Sequence, residues 1–108
     1  MAFVALEVAL EMVEGLGETI RRIEARDRGL GDQVKRAASS VALNLAECAE
    51  RAGRDRKHAF RVASGSAAEV RAALRIAAAW GYVSAESLAV TQARLHRLGG
   101  LLYGLTRS

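Results

Sequence analysis

Apolar residues recur at intervals of three and four along almost the whole chain, and no proline interrupts them. That period places apolar side chains on one face of an α-helix. The composition agrees: of 108 residues, 22 are Ala and 13 Leu, against only 9 Val and 3 Ile. Ala and Leu give up little conformational freedom in a helix, whereas β-branched residues give up more. An all-β fold is excluded, and so is a disulfide-stapled one, since the chain has a single cysteine. An apolar content of 51% excludes disorder.

The stripes predict four helices, near residues 3–25, 32–51, 56–80 and 85–105. The first stripe is Phe3, Leu6, Leu10, Val13, Leu16, Ile20 and Ile23. The second is Val34, Ala37, Val41, Leu45 and Cys48, and the third Phe60, Ala63, Ala67, Val70, Leu74 and Ala77. In the fourth, Leu88, Thr91, Leu95, Leu98, Leu102 and Leu105 form a heptad seam. Asp32, Asp55 and Ser84 are candidate N-caps, and Gly81 a C-terminal stop. The small residues around Gly65 predict a close approach by a neighbouring helix. The expected fold class is all-α: one antiparallel up-down four-helix bundle spanning 1–108. Val4, Val8, Leu43, Val62, Ile76, Trp80, Val90, Leu101 and Tyr103 lie off these stripes, a surplus that points to a subunit interface.

Catalytic, metal and cofactor sites are not expected. One Cys and two His are too few for a His/Cys zinc site, and no phosphate-binding Gly loop or nucleophile elbow occurs. His96-Arg97-Leu98-Gly99-Gly100 resembles the core of histidine phosphotransfer domains, but Gly99 stands where that motif has Lys, so His96 reads as an ordinary exposed histidine. A lone cysteine and no signal peptide point to the cytoplasm. Cys48, on the apolar stripe, reads as a small core residue. The first helix is amphipathic, but its acidic polar face argues against a membrane surface.

Arg36, Ser40, Asn44 and Glu47 fall at intervals of four, four and three, forming a polar stripe beside the apolar one. Ser66 and Glu69 are similarly placed on the third helix. The expectation is a structural polar network between helices, with Arg36 paired to Glu47 or Glu69. The sharper alternatives are a binding site lined by these groups and a catalytic Glu47/Glu69 pair.

The run Gln33, Arg36-Ala37-Ala38, Ser40, Asn44-Leu45-Ala46-Glu47, with Leu30, Ala63, Gly65-Ser66, Glu69 and Gly81-Tyr82, resembles the four helix bundle protein family encoded within intervening sequences of bacterial 23S ribosomal RNA genes. It also resembles the related accessory variability determinant of diversity-generating retroelements. The similarity spans about residues 6–105. Two positions depart: Cys48 follows the Glu where the family usually has Gly, and the first connection lacks the family's Pro. The resemblance implies a homopentameric ring with no enzymatic activity. In the retroelement branch it implies a basic barrel that binds nucleic acid and a reverse transcriptase.

Charge supplies an independent argument. The net charge is +4, and residues 51–61 alone carry net +4, from Arg51, Arg54, Arg56, Lys57 and Arg61 against Asp55. Residues 1–24 are net −3. A solvated face and a phosphate-binding face are both compatible with this cluster. The expected function is nucleic-acid binding, RNA in preference to DNA, through these five residues and Lys35. Arg36 is a weaker candidate because of the polar stripe. With only Phe60 nearby, base stacking is not indicated, so contact should be backbone-driven and salt-sensitive. The alternative is a scaffold that binds only protein.

Overall fold

A computed structural model describes residues 2–107. Four helices, α1 (Ala2–Arg26), α2 (Arg28–Cys48), α3 (Gly53–Ala79) and α4 (Ala89–Arg107), run alternately up and down, with a 3-10 turn at Glu86–Leu88 leading into α4. Each helix packs on its two sequence or ring neighbours, so α4 closes the bundle against α1. The molecule is 42 Å long and about 20 Å across. The all-α bundle expected from the periodicity is the observed architecture. Among the described residues, no helix is long and apolar enough to cross a membrane.

The connections are tighter than the sequence suggested. Asp27 alone separates α1 from α2, and its Oδ1 accepts the Leu30 amide at 3.0 Å. The cap is therefore Asp27 and not Asp32, and α2 begins four residues earlier than expected. Its Oδ2 accepts the Tyr82 hydroxyl at 3.3 Å, and the Arg26 guanidinium lies over the Tyr82 ring. One residue thus links the α1–α2 turn to the α3–α4 turn. Likewise α3 starts at Gly53, with φ +58°, and Asp55 lies within its first turn rather than capping it. At the other end Gly81 takes φ +79°, and the Tyr82 and Gly81 amides return to the Ala77 and Ala78 carbonyls. That pattern is a Schellman stop. Ser84 Oγ accepts the Ser87 amide before α4, as its capping role required.

The expected stripes of α2 and α3 are buried throughout, as is that of α4 up to the half-buried Leu105. The first stripe is only partly correct. Leu16 and Ile23 are buried, but Phe3 is 77% exposed and Leu10 39%. Ala5, Val8, Ala9 and Met12 take the inward positions instead. A spacing of 3.5 residues drifts about 20° per heptad around a straight helix. Followed back from Ile23, the expected stripe therefore rotates out of the core by the first turns of α1. Val8, expected among the surplus, belongs to the core. Phe3, Val4, Leu10, Leu43, Ile76, Trp80, Val90 and Tyr103 are the exposed large apolar residues.

The close approach also lies elsewhere than expected. A Cβ on Gly65 would meet nothing within 4 Å. A Cβ on Gly31 would run into Glu24 Cγ and come within 3.0 Å of the Glu24 backbone nitrogen. Gly31 is what lets α2 fold back on α1 across a one-residue turn. Gly65→Ala should therefore raise stability by about 0.5–1 kcal/mol through helix propensity. Gly31→Ala should lower it despite the same gain in propensity. Urea unfolding of the two variants beside the wild type checks both signs.

Candidate nucleic-acid interface

The bundle sorts the basic residues of the 51–61 segment into different environments. Arg54, Lys57 and Arg61 follow one another at intervals of three and four, share a face of α3, and are all exposed. Arg51 does not join them. It lies in the α2–α3 turn, where its Nη2 pairs with Glu47 Oε1 at 3.0 Å. Arg56 is half-buried, its guanidinium over the Phe60 ring at 5.5 Å. Lys35 lines the groove between α1 and α2 beside Arg21 and Glu24, away from the α3 row. The five-residue cluster in sequence is thus a three-residue row in space.

The remaining positive charge extends this row. The helices α3 and α4 together carry nine Arg and Lys against two acids, Asp55 and Glu69. No acidic residue occurs on α4. Helices α1 and α2 carry six bases against seven acids. Folding therefore divides the bundle into a positive half and a nearly balanced one. Such a division focuses potential on one side and draws anions to it. Arg71 and Arg75 were not candidates in the sequence, yet they continue the Arg54–Lys57–Arg61 face at the same helical spacing. The alternating three–four spacing was the signal that could have found them.

The polar stripe resolves into a smaller network. Ser66 Oγ donates to Ser40 Oγ across the α2–α3 contact at 2.8 Å, and Asn44 Nδ2 donates to the Ser40 carbonyl at 2.8 Å and to its hydroxyl at 3.2 Å. All three residues are half-buried. The expected Arg36 pairing with Glu47 or Glu69 does not form. Arg36 pairs with Asp32 at 3.2 Å, one turn away, Glu47 takes Arg51, and Glu69 is exposed. Partners at i±4 on the same helix need no interhelical alignment and win. With Ser40 facing Ser66 on antiparallel helices, Glu47 and Glu69 lie on opposite sides of that bridge along the α2–α3 contact and form no carboxylate pair. Cys48 is buried, its Sγ 3.8 Å from the Arg56 carbonyl, and burial pushes the thiol above its ordinary pKa. Among the described residues, no group of three His, Cys, Asp or Glu side chains is placed to hold a metal ion.

A small antiparallel helical bundle with one basic half and a Ser–Ser–Asn bridge between its central helices defines the class of this molecule. The chain belongs to the 23S rRNA-intervening sequence protein family, whose model matches residues 4–104. Among solved structures it is similar to a protein of unknown function from the S23 ribosomal protein family of Bacteroides thetaiotaomicron. The TM-score is 0.85 and the identity 16%, over 96% of this chain and 99% of that one. At that identity the likeness concerns the fold. Comparison with curated proteins gives no match.

The network generates a stability prediction. Ser40→Ala removes the hydroxyl that accepts from Ser66 and should cost about 1–2 kcal/mol, because Ser66 is left half-buried and unpaired while Asn44 keeps its bond to the residue-40 carbonyl. Glu47→Gln, which breaks only an exposed pair, should change stability by about 1 kcal/mol or less. Thermal unfolding monitored by circular dichroism distinguishes the two.

Proposed function

We propose that this protein is a non-enzymatic, cytoplasmic, homo-oligomeric bundle whose basic half binds nucleic acid, RNA in the first instance. The observation that carries this reading is the exposed row Arg54, Lys57 and Arg61, which takes part in none of the ion pairs of the described residues. Three exposed cations at helical spacing suit phosphates along a backbone and read no base. The family's origin within ribosomal RNA genes is consistent with an RNA partner. In the retroelement branch of the resemblance, the partner would include a reverse transcriptase.

Binding of a structured RNA across a salt series tests the reading. Affinity should fall linearly with salt on a log–log plot, and Arg54→Ala/Lys57→Ala/Arg61→Ala should make that slope shallower by about 2–3. No binding at low salt, or an unchanged slope in the variant, would leave a protein-only scaffold as the better account.

Self-association has its own support. Phe3, Leu10 and Leu43 are large apolar side chains exposed on α1 and α2. We infer a closed ring, with five copies taken from the family resemblance. Light scattering should give a mass several times the 11.5 kDa of one chain, and Leu10→Glu/Leu43→Glu should return it to that of the monomer. A wild-type mass of one chain at micromolar concentration would end this part of the proposal.

A further inference from the structure

The face of α3 that begins with Arg54 does not end at Arg61. Arg54, Lys57, Arg61, Ser64, Ala68, Arg71 and Arg75 follow one another at alternating intervals of three and four, a line about 31 Å long at 1.5 Å per residue. In the middle of this line the charge gives way to a groove of about 410 Å³ between α3 and α4. Its floor is small: Ala67 and Ala68 on one side, Gly99 and Gly100 on the other. Its rim carries Arg71, His96 and Tyr103, and none of its lining residues is acidic.

Each rim group is arranged for an anionic, aromatic ligand. Arg71 Nη2 lies 3.1 Å from where a Cβ on Gly99 would stand, so the bare glycine lets the guanidinium rest low across the groove. Neither Arg71 nor His96 enters an ion pair among the described residues. The two acids of α3 are turned away: Asp55 lines the cleft with α2, and Glu69 is one turn from Ser66, which faces α2. Tyr103 is 60% exposed, yet it is held. Its hydroxyl accepts from Arg107 Nη1 at 2.7 Å, and that guanidinium covers one ring face at 5.2 Å from the centroid. A fixed, exposed ring beside an unpaired arginine is a stacking platform for a base.

We propose that this groove holds a single-stranded segment of nucleic acid, with a phosphodiester on Arg71 and His96 and a base stacked on Tyr103. This rests on the nucleic-acid reading above and extends it from the first turns of α3 into the adjoining α3–α4 groove. The strand is single because a duplex keeps its bases stacked inside and offers none to Tyr103. The Arg54–Lys57–Arg61 row then receives the phosphates that leave the groove.

The experiment measures fluorescein-labelled oligo(U) and oligo(dT) binding to the whole protein across a salt series. Three variants accompany the wild type. Arg71→Ala should make the slope shallower by about 0.7, one phosphate contact on a single strand. Tyr103→Ala should weaken binding about five-fold or more, the loss of one stacked base. Gly100→Leu keeps every charge and fills the floor. A Cβ there meets nothing within 4 Å and helix propensity rises, so the variant should fold and still bind more weakly. Equal loss for both oligonucleotides assigns the contact to the backbone and base face, and loss for oligo(U) alone assigns it to the ribose 2′-hydroxyl; both support the groove. Unchanged binding in Tyr103→Ala and Gly100→Leu, with loss only in the Arg54/Lys57/Arg61 variant, overturns the groove and leaves the basic row standing. A wild type that binds neither oligonucleotide nor structured RNA overturns both readings, and one that binds only duplex overturns the groove. As an independent check, ultraviolet cross-linking of a 4-thiouridine oligonucleotide should label the α4 peptide containing Tyr103. Label confined to the start of α3 counts against it.

Discussion

One residue of non-helical backbone stands between a 25-residue helix and a 21-residue helix. A turn that short requires the two helices to fold back against each other immediately, and they can do so only because Gly31 presents no side chain to the Glu24 backbone. Asp27 then does two things with one carboxylate. It caps α2 through Leu30 and receives the hydroxyl of Tyr82 from the opposite hairpin. The α1–α2 and α3–α4 hairpins are therefore registered at the same end of the bundle. That register puts the start of α3, with its basic row, beside the end of α4.

The charge separation follows from this topology. Helices adjacent in sequence pack as hairpins, so the acids of the first helix and the bases of the last two end up in different halves. Nothing local enforces the separation. The ion pairs of the described residues all lie within single helices or their extensions, at i±4, and do not hold the halves together. Cohesion comes from the apolar seam, dominated by Leu45, Leu74, Leu95, Leu98 and Leu102, and from the Ser40–Ser66 bridge between α2 and α3. With cohesion supplied in this way, the surface of α3 and α4 is free to remain uncompensated in charge.

Much of the fold was legible because helical periodicity is a local property. The stripes of α2, α3 and α4 needed only the spacing of apolar residues, and the stop at Gly81 needed only the tolerance of glycine for positive φ. Where the reading failed, two local choices of similar strength competed. On α1, both Phe3–Leu10 and Ala5–Met12 make acceptable apolar faces, and packing on α2 and α4 selects the second. At the first turn, Asp27 and Asp32 are equally good caps by residue type, and only the proximity of Tyr82 and Glu24 decides between them.

The candidate site shows the same division. The sequence determined that the chain is helical, that it is basic, and that its positive charge concentrates from residue 51 onward, because composition and period are carried by each segment alone. It also located Ser40, Asn44 and Ser66 as a polar group. Tertiary structure decided which of these residues meet: Arg54, Lys57 and Arg61 align, while Arg51 and Arg56 are diverted to Glu47 and Phe60, and Arg71 shares a groove with His96 and Tyr103 about 25 to 32 residues further on. The physical reason is that a helix face is set by angle and a groove by the neighbour packed beside it, and only the first of these is written in the spacing of residues along one segment.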